Sequence, residues 1–260
     1  MRMPGDVALH YLDEGDPKGA PVVFLHAMGT DLHLWDRVLP LLPAGLRLIR
    51  VDLRGHGQSP CPEGDYYMGD LVADVAAVLD RLKLRDAMVV GVSMGGMIAQ
   101  GLAAERLDQV RALVLCNTAV KIGTPQAWRE RMERVREGGV TILAEPTLAA
   151  WFPQRFHDDP AFDAARERLL STPLAGILGC GAAIAETDLY ESTARLRLPT
   201  LTIAGSEDGL TPPDMVRETA DLIPGSRFQL IRGAGHLPCV DKPQEFAAAL
   251  TTFLKETGHV

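Results

Sequence analysis

Ser93 lies in Gly91-Val92-Ser93-Met94-Gly95-Gly96, directly after the apolar run Ala87-Met88-Val89-Val90 and before Met97, Ile98 and Leu102. A serine with glycines two residues before and after it, between a strand and a helix, fits a nucleophile elbow. The glycines remove side chains where the chain reverses and leave the serine oxygen exposed. The bare pattern arises by chance in about one chain in ten of this length, so the flanking strand and helix carry the weight. A serine hydroxyl is a poor nucleophile at neutral pH and needs a base and a group that orients the base. Asp208, in Gly205-Ser206-Glu207-Asp208, and His236, in Gly233-Ala234-Gly235-His236-Leu237-Pro238, supply both types in the chain order Ser, Asp, His. Each follows an apolar run, so each is expected beyond the carboxyl end of a strand, on the same sheet edge as Ser93. Glu207 competes with Asp208; Asp208 is preferred because it stands three residues past Gly205 and just before Thr211-Pro212. Taken alone, His236 reads more readily as a packed loop histidine; the elbow and the chain order favour the functional reading.

The charge that develops on an attacked carbonyl oxygen needs backbone donors. The Met94 N–H, directly after the nucleophile, is one candidate. The loop His26-Ala27-Met28-Gly29 after Val22–Leu25 offers the Met28 N–H as the other. His56, in Asp52-Leu53-Arg54-Gly55-His56-Gly57-Gln58-Ser59, precedes the nucleophile and is expected to brace its loop. No H-x-x-x-H or C-x-x-C pair occurs, so neither a metal nor another cofactor is expected.

These residues need a scaffold of alternating strands and helices. Val7–Leu12, Val22–Leu25, Leu46–Val51, Ala87–Val90, Ala112–Leu115, Leu201–Ala204 and Phe228–Ile231 read as strands. Leu71, Val72, Val75, Val78, Leu79 and Leu82 fall on one helical face, as do Phe246, Leu250, Phe253 and Leu254. Thr211 before Pro212, and Asp241 before Pro243, resemble helix N-caps. The expected class is α/β, a mostly parallel central sheet flanked by helices. From Asn117 to about Leu198 no buried strand is evident; Trp128–Arg136, Trp151-Phe152-Pro153, Ala161–Leu170 and Ile177–Ala185 suggest helices. The expected division is a core of residues 1–118 and 199–260 with a helical cap, 119–198, over the strand ends where open α/β sheets bind ligands.

Across 260 residues, 26 Lys plus Arg face 34 Asp plus Glu, a net charge of −8 with no long basic run. Nucleic acid and anionic membranes are therefore not expected partners. Met1–Asp6 contain no long apolar segment and no run approaches 18 apolar residues, which leads us to expect a cytoplasmic protein. Cys61, Cys116, Cys180 and Cys239 are scattered and read as reduced thiols.

With the elbow, the Arg54–Ser59 loop, Asp208 and Gly235-His236 in view, the chain resembles the α/β-hydrolase superfamily over essentially its whole length. Ala27 departs from the glycine many members carry after the histidine. Gly29-Thr30-Asp31-Leu32, Leu115–Pro125, Trp128, Trp151-Phe152-Pro153 and Cys180–Ile184 are similar to the 3-oxoadipate enol-lactonase family. That resemblance implies opening of an enol-lactone, bearing a carboxymethyl arm, in bacterial aromatic catabolism. The substrate would then be a small lactone or ester carrying a carboxylate. Arg129, Arg131, Arg134 or Arg136 could meet that carboxylate, with Arg129 the first choice, or could form a solvated face paired with Glu130, Glu133 and Glu137. Trp128 reads equally as a pocket-lining residue and as ordinary packing within the cap. A general carboxylesterase, a carbon–carbon bond hydrolase and a ligand-sensing protein of the same fold remain open. A haloalkane dehalogenase does not fit, because its nucleophile is a carboxylate.

Overall fold

The apolar runs become the strands of one seven-stranded sheet. The computed structural model describes residues 7–260; Met1–Asp6, read above for a leader segment, lie outside the described residues. The strands are β1 (Tyr11–Gly15), β2 (Ala20–Leu25), β3 (Leu46–Val51), β4 (Ala87–Val92), β5 (Val110–Cys116), β6 (Thr200–Gly205) and β7 (Arg227–Ile231). Their spatial order is β1-β3-β2-β4-β5-β6-β7, and only β1 runs antiparallel to its neighbour. Around them lie α1 (Met68–Arg81), α2 (Met94–Glu105), α3 (Pro125–Gly138), α4 (Thr141–Trp151), α5 (Pro160–Ser171), α6 (Leu174–Ala185), α7 (Tyr190–Ala194), α8 (Pro213–Leu222), α9 (Pro238–Asp241) and α10 (Pro243–Glu256).

Period-two alternation divides each buried strand between two cores. Val22 and Phe24 of β2 join Met88, Val90 and the α10 residues Phe246, Leu250 and Phe253 on one face. Val23 and Leu25 join Val89, Leu113 and the helices α1 and α2 on the other. With both faces covered, β2 and β4 read as unbroken apolar runs.

Three expectations shift. The first strand is Tyr11–Gly15 rather than Val7–Leu12, because pairing with β3 runs from Tyr11 opposite Val51 to Gly15 opposite Arg47; Val7 and Leu9 are buried without joining the ladder. Thr211 and Asp241 do not cap helices. Helix α8 has Pro212 at its N-cap and α10 has Lys242, and both polar side chains are bonded elsewhere, as described below. Helices α3 to α7 lie between β5 and β6, where helices without strands were expected. All four cysteines are free thiols. Among the described residues no single helix is long and apolar enough to cross a membrane.

The sheet order reverses between β2 and β4. Chain leaving β2 turns towards β3, chain leaving β4 turns towards β5, and the two loops part to leave a crevice at the strand ends. Leu25 stands opposite Gly91 in the register, which brings the loop carrying Met28 beside the turn carrying Ser93. The approach is close: a Cβ on Gly95 would lie 2.2 Å from Leu25 O, and one on Gly91 would lie 2.3 Å from Gly95 O. Gly95→Ala should therefore force α2 away from β2 and lower stability by about 1–3 kcal/mol. Urea unfolding checks this, and an unchanged midpoint would show that the helix has slack there.

Candidate active site

Ser93 follows β4 and caps α2 with φ 55° and ψ −119°, a strained conformation for a residue with a side chain. Its N–H donates to Cys116 O (3.0 Å), and its carbonyl accepts from Thr118 Oγ1 (2.7 Å). The turn is thereby pinned to the end of β5. Ser93 opens onto a cavity of about 270 Å³ whose wall also includes His236, Met28, Trp128, Arg131 and Trp151. No hydrogen bond joins Ser93 Oγ to His236 among the described residues; both face the same space, and nucleophile–base contacts tighten around substrate.

His236 Nδ1 lies 2.8 Å from Asp208 Oδ2, and both side chains are buried. The Asp208 carboxylate also accepts from Leu210 N–H (2.7 Å), Thr211 N–H (3.1 Å) and Thr211 Oγ1 (2.6 Å). Burial pushes its pKa up, but the charge interaction with His236 and these hydrogen bonds outweigh it and hold the carboxyl below its ordinary value. Asp208 thus stays ionised and keeps the proton on His236 Nδ1, leaving Nε2 free to accept one. Glu207, the sequence competitor, turns outward to Arg155 (2.8 and 3.0 Å).

Neither the Met28 nor the Met94 N–H donates to a protein acceptor among the described residues. Met94 begins α2, so its N–H is one of the helix's unpaired donors, and the helix dipole favours negative charge beside it. Its side chain is packed in the core, whereas Met28 lines the cavity. Two buried histidines fix the Met28 loop. His56 Nε2 accepts from Gly29 N–H (2.9 Å) while its Nδ1 faces Arg54 O (3.1 Å). His26 Nε2 accepts from Leu53 N–H (2.9 Å) while its Nδ1 faces Ala27 O (2.8 Å). These partners require neutral rings. Burial, with His26 adding to it, pushes the His56 pKa down to about 3, and burial takes His26 to about 4. His56 is a brace, as its position before the nucleophile implied.

Trp128 is in the cavity wall, its indole N–H donating to Ile122 O (2.7 Å). Arg129 is not: it lies on the exposed side of α3, 64% exposed, and pairs with Glu186 at 3.0 Å. The expectation that it meets the ligand is corrected by helix phase, since two further residues along the helix bring Arg131 inward. Arg131 lines the cavity, its guanidinium 5.3 Å from the Trp128 ring centroid and donating to Thr147 Oγ1 (3.2 Å). No carboxylate pairs with it among the described residues, and burial, with Arg134 nearby, lowers its pKa. Three residues not assigned to the site from sequence also hold it: Thr211, Asp241, whose Oδ2 accepts from Gly235 N–H (2.7 Å), and Asn117. A threonine three residues after Asp208 was the one readable signal, because short polar side chains bond nearby backbone and side chains at that spacing. Among the described residues no group of three or more His, Cys, Asp or Glu could hold a metal ion.

A family model described as the alpha/beta hydrolase fold matches residues 20–243, and the chain belongs to that family. It is 32% identical over 252 residues to 3-oxoadipate enol-lactonase 2 of Acinetobacter baylyi, covering 96% of this chain and 94% of that one. The enol-lactonase from Burkholderia xenovorans LB400 superposes with a TM-score of 0.92 at 31% identity, covering 96% and 97% of the two chains. A thermophilic esterase from Thermogutta terrifontis, solved with malate bound, gives 0.92 at 30% identity over 100% and 97%.

The two neutral histidines make stability depend on pH. Unfolded histidine titrates near 6.5, so below that pH the unfolded chain binds protons the folded chain refuses, and stability falls as pH drops. Asp241 opposes this: burial raises its pKa to about 6, so the folded chain binds its proton first. Two histidines outweigh one carboxyl, and unfolding free energy should fall by on the order of 2 kcal/mol between pH 7 and pH 5. Urea denaturation at the two pH values measures it; a flat or rising stability would contradict neutral, bonded rings at His26 and His56.

Proposed function

We propose that this hydrolase opens 3-oxoadipate enol-lactone to 3-oxoadipate through an acyl-enzyme on Ser93. The observation that carries the substrate class is Arg131, a half-buried guanidinium without a carboxylate partner among the described residues, in the same cavity as Ser93 and His236. A cation held in a mostly apolar cavity favours an anionic ligand. Likeness to two enol-lactonases, one by sequence and one by structure, supports the same reading.

In this mechanism Ser93 Oγ attacks the lactone carbonyl carbon while His236 Nε2 takes its proton. Asp208 stabilises the imidazolium, and the Met28 and Met94 N–H groups hold the oxyanion. Collapse breaks the ring C–O bond and expels an enolate, which is protonated and becomes the ketone. Water, deprotonated by His236, then attacks the acyl carbon, and the proton returns to Ser93. An enolate is a better leaving group than an alkoxide, so the histidine's acid role is less demanding here than in ester cleavage. Arg131 holds the carboxymethyl arm and Trp128 packs against the ring. Residues 119–198 act as the substrate-selecting cap, and the reaction belongs late in cytoplasmic breakdown of aromatic compounds in bacteria. A carboxylesterase acting on neutral esters is the second reading, favoured by the likeness to the Thermogutta esterase and disfavoured by Arg131.

Steady-state assays on the enol-lactone and on p-nitrophenyl acetate separate the two. We expect kcat/KM for the lactone to be the larger by at least about 100-fold, the contribution of a charge-assisted contact plus ring strain; faster turnover of the simple ester overturns the lactonase assignment. Ser93→Ala should lower kcat by about 10⁴-fold or more with the fold intact. Arg131→Gln should raise KM for the lactone by about 10-fold or more while leaving the neutral ester within about 2-fold. Equal losses on both substrates would remove Arg131 from carboxylate recognition.

A further inference from the structure

Asn117, the first residue past β5, is fully buried and has φ +42°. In that left-handed region asparagine, aspartate and glycine are the residues most easily accommodated. Every hydrogen of its side-chain amide is used. Nδ2 donates to Gly235 O (2.9 Å) and to His236 O (2.8 Å), and Oδ1 accepts from Gly205 N–H (2.8 Å). The Asn117 N–H donates to Ile203 O in β6 (2.9 Å). One buried amide therefore joins the root of the loop that carries Asp208 to the backbone of His236 itself. Its chain neighbours complete the set: Cys116 O accepts from Ser93 N–H, and Thr118 Oγ1 donates to Ser93 O. Residues 116–118 thus touch the loops of all three site residues.

The bonds on the far side of the histidine loop show why this tie matters. Gly235 N–H is held by Asp241 Oδ2 (2.7 Å), and His236 N–H is held by Trp151 O (2.8 Å). With Asn117 on their carbonyls, Gly235 and His236 are each held at both N–H and C=O. The chemistry at position 117 admits no close substitute. Aspartate keeps the acceptor but has no N–H donors, and it would set a negative charge against two carbonyl oxygens. Glutamine adds a methylene where Asn117 already fills its space, and leucine leaves Gly205 N–H and two carbonyls unpaired.

We propose that Asn117 is a positioning residue for hydrolysis: its amide fixes the Asp208 loop and the His236 loop in register, so that Nδ1 meets the carboxylate and Nε2 faces the nucleophile. The proposal rests on reading Ser93, His236 and Asp208 as the acyl-transfer triad. A relay displaced by about 1 Å loses about 100-fold in rate, whereas the apolar cavity that binds substrate is built from other residues.

Three variants test it: Asn117→Asp and Asn117→Gly, which accept the left-handed backbone, and Asn117→Ser, which retains one short hydrogen-bonding group. Each is measured with the wild type for circular dichroism and thermal midpoint, for kcat and KM on p-nitrophenyl acetate, and for the rate at which a fluorophosphonate labels Ser93. The low-field proton resonance of His236 Nδ1–H is followed in parallel. The expected result is a folded protein in which kcat and the labelling rate fall together by about 100-fold. KM stays within about 3-fold and the low-field signal broadens or disappears, with the serine variant least affected. Folded variants with wild-type kcat, labelling and resonance overturn the proposal. Failure of all three to fold also overturns it, by assigning Asn117 to folding alone. A wild type that is not labelled at Ser93 points instead to failure of the triad reading, so the two failures are distinguishable.

Discussion

The close approach of α2 to the end of β2 is the constraint on which the site depends. At that contact the chain leaves β4, adopts a left-handed backbone at Ser93, and enters a helix whose second residue, Gly95, lies against Leu25 O and His26 O. Side chains at Gly91 or Gly95 would push these segments apart. Two consequences follow from the one contact. The serine oxygen projects into the crevice where the sheet order reverses, and the first N–H of α2 comes to lie beside the loop that offers the Met28 N–H. The strain is local, and the bonds from Ser93 to Cys116 and Thr118 hold it in place.

The remaining chemistry is delivered by loops, and loops need external support. The loop carrying Met28 is tied to the loop after β3 by two imidazoles that work only when neutral. The loops carrying Asp208 and His236 are tied to each other by Asn117 and to the helices between β5 and β6 by the end of α4. The last carbonyls of a helix lack partners within it. Here Ala150 O accepts from Gly209 N–H (3.2 Å) and Trp151 O from His236 N–H (2.8 Å). Helix α4, the second helix between β5 and β6, therefore does more than line the cavity: it closes the hydrogen bonding of two loops that carry site residues.

Much of this was legible in the sequence, because it rests on short-range rules. Apolar runs mark strands buried on both faces, glycines around Ser93 mark a crowded turn, and the order of Ser93, Asp208 and His236 places three side chains on one sheet edge. Local rules misread residues whose role is long-range. Thr211 and Asp241 have the type and the neighbouring proline of helix caps, yet they bond Asp208 and Gly235. Position 117 offered no periodic signal, since its partners are 88 to 119 residues away in sequence. Arg129 and Arg131 differ only in helical phase; the phase of α3 was not fixed by a charged sequence with few apolar markers, and packing against α6 and α4 decides it.

On the proposed mechanism Ser93 becomes acylated by a substrate whose carboxylate lies at Arg131. Rapid-quench mass spectrometry on the wild type, mixed with a slowly hydrolysed anionic ester and followed by peptide mapping, would reveal that adduct. The expected result is a transient acyl adduct on the peptide containing Ser93, formed within the first turnover and decaying at the steady-state rate. Turnover with no adduct on that peptide, or an adduct on any other residue, would contradict it.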